Sequence, residues 1–71
     1  MDSEHFFIKQ GDGSIWTIFH HKPGFPDLAT YDGSEADCIS NAKRIKAQPA
    51  FEMIDFYYIG ANRVWQPIEN L

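Results

Sequence analysis

The side chains able to do chemistry are few: three histidines, one cysteine and ten carboxylates in a chain of 71 residues. His5, His20, His21 and Cys38 are the metal-ligand types, but neighbours on a strand point to opposite faces. His20 and His21 therefore cannot both ligate without a bulge, and no local spacing resembles a zinc module. Histidines beside a loop, open to a pH-sensitive contact, are the expectation, with no metal. Cys38 falls in the first turns of an expected helix, where the dipole favours a thiolate. It also lies on the apolar stripe of that helix, and free cysteine is among the most buried residue types. A buried thiol is expected rather than a Cys–His nucleophile. Gly11-Asp12-Gly13-Ser14 lacks the Lys-Ser/Thr ending of a phosphate loop and the twelve-position ligand pattern of a calcium loop, so it reads as a turn. Glu52 and Asp55 are three apart with no acid/base partner nearby. No catalytic residue and no cofactor are expected, and the chain reads as non-enzymatic.

Side chains suited to binding are better represented. Aromatics make up 15% of the chain, a large share for a domain of this size, which buries only about 60% of its unfolded surface. Trp16, Tyr57, Tyr58 and Trp65 are the expected protein contacts, because interface hot spots favour Trp and Tyr. Glu52 and Asp55 would supply flanking charge, joined by Asp27, Asp32, Glu35 and Asp37 if an acidic face engages a basic partner. Lys43, Arg44 and Lys46 with Arg63 form the alternative, a nucleic-acid patch on which Trp65 could stack a base. Lys43 and Lys46 share a helix side that Arg44 does not, and the helix dipole already favours cations there. A net charge of −4 further weakens the nucleic-acid reading.

These groups must be positioned by a small set of elements. His5-Phe6-Phe7-Ile8-Lys9 and Ile15-Trp16-Thr17-Ile18-Phe19-His20 are strand-forming runs joined through Gly11-Asp12-Gly13, an antiparallel hairpin. Alternation puts Ile15, Thr17 and Phe19 on one face and Trp16, Ile18 and His20 on the other. Neither face is cleanly polar, so a helix is expected over one side and partial cover over the other. Pro23-Gly24 marks a turn, and Leu28-Ala29-Thr30-Tyr31 a short third strand ended by Asp32-Gly33. Ser34 is a good N-cap, with Asp37 completing an imperfect capping box. Cys38, Ala42 and Ile45 form the apolar stripe of a helix that stops near Gln48.

Pro49 suits the first turn of another helix, with Phe51, Ile54 and Tyr58 on one side and Gly60 as a C-cap. The rival is a strand over Phe56-Tyr57-Tyr58-Ile59, turned by Gly60-Ala61-Asn62 into Arg63-Val64-Trp65-Gln66. A second helix through about Tyr57 is preferred. The expected product is one α+β domain over 1–71, with a two- or three-stranded antiparallel sheet packed against one or two helices and fraying at 1–4 and 67–71. One cysteine, no apolar run near membrane length and no leader pattern make a reducing, cytoplasmic setting without a membrane the expectation.

The stretch Ser40-Asn41-Ala42-Lys43-Arg44-Ile45-Lys46-Ala47-Gln48-Pro49-Ala50-Phe51-Glu52 resembles a helix-end segment common in small phage- and prophage-encoded proteins. In those proteins an Asn-Ala-basic-aliphatic-Ile helix closes on Ala-Ala-Pro and a short leucine-rich helix follows. Here Arg44, Lys46 and Gln48 stand in place of aliphatic and alanine positions, and Phe51, Met53 and Ile54 in place of leucines. The resemblance implies a phage accessory protein that acts by binding, with anti-CRISPR and other anti-defence inhibitors the best-known examples. It assigns no residue a role. The expected partner is a bacterial host protein or complex. A small nucleic-acid-binding or regulatory protein is the alternative, and a homodimer with a shared core and a structural role is the third reading.

Overall fold

A computed structural model describes residues 3–68 and 71. The chain order is β1 (His5–Gln10), β2 (Trp16–His21), β3 (Leu28–Gly33), α1 (Glu35–Lys46), β4 (Asp55–Ile59) and β5 (Trp65–Pro67). The strands form one sheet in the order β3-β2-β1-β4-β5. Neighbours are antiparallel except β1 and β4, which are parallel. The α+β expectation holds, with one helix packed on a sheet larger than the two or three antiparallel strands anticipated. β3 runs in the same direction as β1, and the chain crosses through α1 from β3 to the far side of β1, a crossover rather than a hairpin, which lays β4 parallel to β1.

Local chemistry accounts for the first half of the chain. The β1–β2 turn closes with the Gly11 amide donating to the Ile15 carbonyl at 2.8 Å, and Gly13 takes φ 62°. Between β2 and β3, the Phe25 amide donates to the Lys22 carbonyl at 3.0 Å. Pro23 precedes Gly24, whose φ of 85° is the left-handed position that a type II turn assigns to glycine. Ser34 caps α1 by accepting from the Asp37 amide at 3.1 Å. The helix ends at Ala47, with Lys43, Arg44 and Lys46 in its last turn, where the dipole favours cations.

The second helix expected through about Tyr57 does not form. Residues 49–54 make consecutive turns, with Phe51 and Ile54 amides donating to Gln48 and Phe51 carbonyls, and Asp55–Ile59 is a strand. The reason is the free edge of β1. Phe56 pairs with Phe6 in register, stacks on its ring at 4.9 Å and is 2% exposed. A helix would have left β1 unpaired, whereas the β-forming run Phe56-Tyr57-Tyr58-Ile59 satisfies its backbone and core together. Gly60 therefore belongs to the β4–β5 turn rather than to a helix end. There the Arg63 amide donates to the Gly60 carbonyl at 3.0 Å.

The core lies between α1 and one sheet face: Phe6 and Ile8 from β1, Trp16 and Ile18 from β2, Phe56 from β4, with Cys38 and Ala42 from the helix. Phe7 and Ile59 are also buried but project from the opposite face, by strand alternation. The fraying expected at the termini falls partly on residues 1, 2, 69 and 70, which lie outside the described residues. The Ile68 amide donates to the Phe56 carbonyl at 2.9 Å.

Candidate binding surface on the uncovered sheet face

Among the described residues, no helix or strand lies over the sheet face opposite α1. The register places His5, Phe7 and Lys9 of β1 on it, beside Thr17, Phe19 and His21 of β2 and Asp55, Tyr57 and Ile59 of β4. Trp65 of β5 pairs with Ile59 and joins them. The rings form a continuous array. Phe7 stacks on Phe19 at 5.0 Å and meets Trp65 at 5.0 Å. His5 stacks on His21 at 4.6 Å and presents to the edges of Tyr57 and Trp65 at 5.4 and 5.8 Å. Trp65, at 50% exposed, is the ring most open to a partner.

A shallow depression of about 460 Å³ runs over Phe7 and Ile59 between His5, Lys9, Arg63 and Trp65. Its two ends differ in charge. Lys9 and Arg63 stand at one end, the second carried on a turn at φ 59°. At the other, the Asp27 carboxylate accepts from His21 Nδ1 at 2.7 Å, and Asp55 stands on the neighbouring strand at the level of His5. His5 Nδ1 lies 2.8 Å from the Ser3 carbonyl; a carbonyl only accepts, so that nitrogen carries the proton. The ring's orientation in the array is thereby fixed.

The sequence-selected contacts divide between the two sides of the sheet. Tyr57 and Trp65 come together on the uncovered face, ring to ring at 5.8 Å, and Asp55 lines the same edge. Trp16 is 7% exposed beneath the helix, where Tyr58 stacks on it at 5.1 Å. Glu52 is exposed on the turn before β4 and offers its backbone carbonyl to Lys46 Nζ at 3.0 Å. The four basic residues are not one patch. Lys43 and Arg44 are exposed on α1, while Lys46 holds the Glu52 and Ile54 carbonyls at 3.0 Å each and sits 5.5 Å from the Phe56 ring. Arg63 lies across the sheet, beside Lys9.

His5, Phe7, Lys9, Phe19 and Ile59 escaped the sequence selection. Their signal was the lack of a polar face in either hairpin strand; what could not be read was which further strands would extend that face. Chemistry elsewhere is sparse. His20 points to the helix side, stacks on Phe6 at 4.3 Å and donates to Glu4 at 2.6 Å, opposite in direction to His21. Cys38 is fully buried, its thiol donating to the Trp16 carbonyl at 3.4 Å. Burial, with Asp32 and Asp37 nearby, pushes its pKa up. Among the described residues, no three His, Cys, Asp or Glu side chains are grouped to hold a metal ion, and no helix is long and apolar enough to cross a membrane. No family model, curated protein or solved structure matches the chain.

Proposed function

We propose that the chain is a non-enzymatic binding module that engages a protein partner through the uncovered sheet face. The observation that carries this reading is the connected array of His5, Phe7, Phe19, Tyr57 and Trp65 on a face with no covering element. Aromatic centres rimmed by mixed charge are the usual anatomy of protein interfaces. Lys9 and Arg63 at one end and Asp27 and Asp55 at the other give the face a polarity that orients a partner. Taking that partner to be a bacterial host protein, such as a component of anti-phage defence, rests on the resemblance carried by residues 40–52.

A single-stranded nucleic acid is the second reading, favoured by Lys9 and Arg63 standing beside Trp65, which would seat phosphate next to a stacked base. Two cations against Asp27, Asp32 and Asp55 on one face, in a chain of net charge −4, make a poor polyanion track. Affinity capture from bacterial lysate with the tagged chain tests both readings. One stoichiometric protein, captured by wild type and by a Lys43→Ala/Arg44→Ala variant but lost with Trp65→Ala/Tyr57→Ala, is the expected result. Retention on immobilised single-stranded DNA or RNA at low salt, lost in the same aromatic variant, would replace it with the second reading.

A further inference from the structure

Resting on the uncovered face as a protein contact, we propose that it takes an extended segment of the partner bearing an acidic, an apolar and a basic side chain at alternate positions, the acidic one held by Lys9 and Arg63. The rows of the sheet set this order. Lys9 and Ile59 share one level, Phe7 and Tyr57 the next, His5 and Asp55 the third. Each level lies two residues from the last, a step of about 6–7 Å, and alternate side chains of an extended segment are separated by the same step. Lys9 and Arg63 line both the depression over Phe7 and Ile59 and the one beside it, between the β1–β2 and β4–β5 turns. Asp55 lines a third, which shares His5 and Trp65 with the first. Lys9, Arg63 and Asp55 are exposed, and among the described residues none of their side chains has a hydrogen-bond or ion-pair partner.

Charge selects the occupant. Among the described residues, Arg63 alone of the non-glycines has a positive φ, 59°, a left-handed position that glycine holds with less strain. Strain of this kind collects at ligand-binding positions, and here it sets a guanidinium at the same depression as Lys9. A chain terminus or a phosphate is commonly cradled by turn amides, but three of those at this end are engaged. Gly11 donates to the Ile15 carbonyl at 2.8 Å and Arg63 to the Gly60 carbonyl at 3.0 Å, while Val64 donates to the Asn62 side-chain oxygen at 3.1 Å. What remains is a pair of side-chain cations, and a guanidinium matches a carboxylate with two parallel hydrogen bonds. A polyanion continuing across the rows would set its next charges against Asp55 and Asp27. A basic side chain beyond the apolar one meets them favourably. Trp65, 50% exposed and 5.0 Å from Phe7 between ring centroids, covers the apolar side chain midway.

Titration of the isotope-labelled chain with the peptide acetyl-Glu-Ser-Leu-Ser-Lys-amide up to millimolar concentration, followed by the amide and indole resonances, tests the assignment. Shifts should centre on Lys9, Tyr57, Arg63 and the Trp65 indole. The same peptide with Gln at both charged positions should bind about tenfold more weakly. Arg63→Gly relieves the left-handed strain, so its melting temperature should equal or exceed that of wild type, while its affinity for the charged peptide falls about fivefold. Asp55→Asn should weaken binding by a similar factor. Absence of shifts on this face overturns the proposal, as does equal binding of the neutral peptide or unchanged affinity in both variants. Shifts at the same residues produced by oligothymidylate and not by the peptide would assign the cations to phosphate and overturn it as well. Capture of the lysate partner by Arg63→Gly/Asp55→Asn at wild-type level, with loss in Trp65→Ala/Tyr57→Ala, would end this inference and leave the face as a protein contact. Capture indifferent to the aromatic pair would end both.

Discussion

Tyr58 illustrates how a side chain that reads as an interface residue can be claimed by the fold. Its ring stacks on Trp16 and its hydroxyl donates to the Glu35 carboxylate, tying β4 to the first turn of α1. That hydrogen bond, followed by desolvation and the carboxylate charge, pushes the Tyr58 pKa from near 10 up to about 12. The protonated form is the one the fold favours. Its contribution is therefore complete below pH 10 and lost as pH rises toward 12. Ultraviolet titration should show a late tyrosine ionisation that disappears in Tyr58→Phe; its persistence in that variant would contradict the assignment. Cys38 gives the complementary case. Its thiol is buried beneath the helix and disfavoured as thiolate, so a thiol-specific reagent should react with the native chain far more slowly than with the urea-unfolded chain. Equal rates would contradict the burial. Burial of this thiol is legible locally, because Cys38 shares the Ala42 and Ile45 stripe, whereas no local spacing links Tyr58 with Glu35, since such pairings depend on the tertiary course of the chain.

At the scale of elements, what was legible was what is local. Ser34, the Cys38–Ala42–Ile45 spacing and the terminal charges all act within a few residues, and α1 appears where they place it. Ser34→Ala should cost about 1 kcal/mol through loss of the cap, read as a lowered urea midpoint with an unchanged slope. The segment 50–59 was ambiguous because its apolar residues satisfy helical and strand spacing alike. The decision lay in β1, some fifty residues earlier in the chain, whose free edge and Phe6 ring give Phe56 a partner. Phe56→Ala should accordingly cost about 3–5 kcal/mol and, in so small a domain, leave much of the population unfolded at ambient temperature. Little change in stability would mean that β4 does not anchor the sheet. The same long-range pairing hid the candidate site: Tyr57 and Trp65 were visible as rings, but Phe7, Phe19 and Lys9 become their neighbours only when β4 joins β1.

The whole molecule is a two-layer structure with one layer's outer face left aromatic. A domain of two layers ordinarily turns polar residues outward, yet here Phe7 and Ile59 are 6% and 5% exposed on the side away from the helix, sheltered by Phe19 and Trp65. Substitutions there should separate binding from folding. Trp65 and Tyr57 lie above the small outer cluster rather than in the main core, so Trp65→Ala/Tyr57→Ala should lower the melting temperature modestly while removing the central contacts. Hot-spot rings are worth about 2 kcal/mol or more each, which corresponds to about thirtyfold in affinity apiece. Titration of the captured partner against wild type, Trp65→Ala/Tyr57→Ala and Lys43→Ala/Arg44→Ala in parallel separates the sheet face from the helix. Affinity should fall by at least about a hundredfold in the aromatic variant and change little in the helix variant. Loss confined to the helix variant, or equal affinity in all three, would rule out binding through the sheet face.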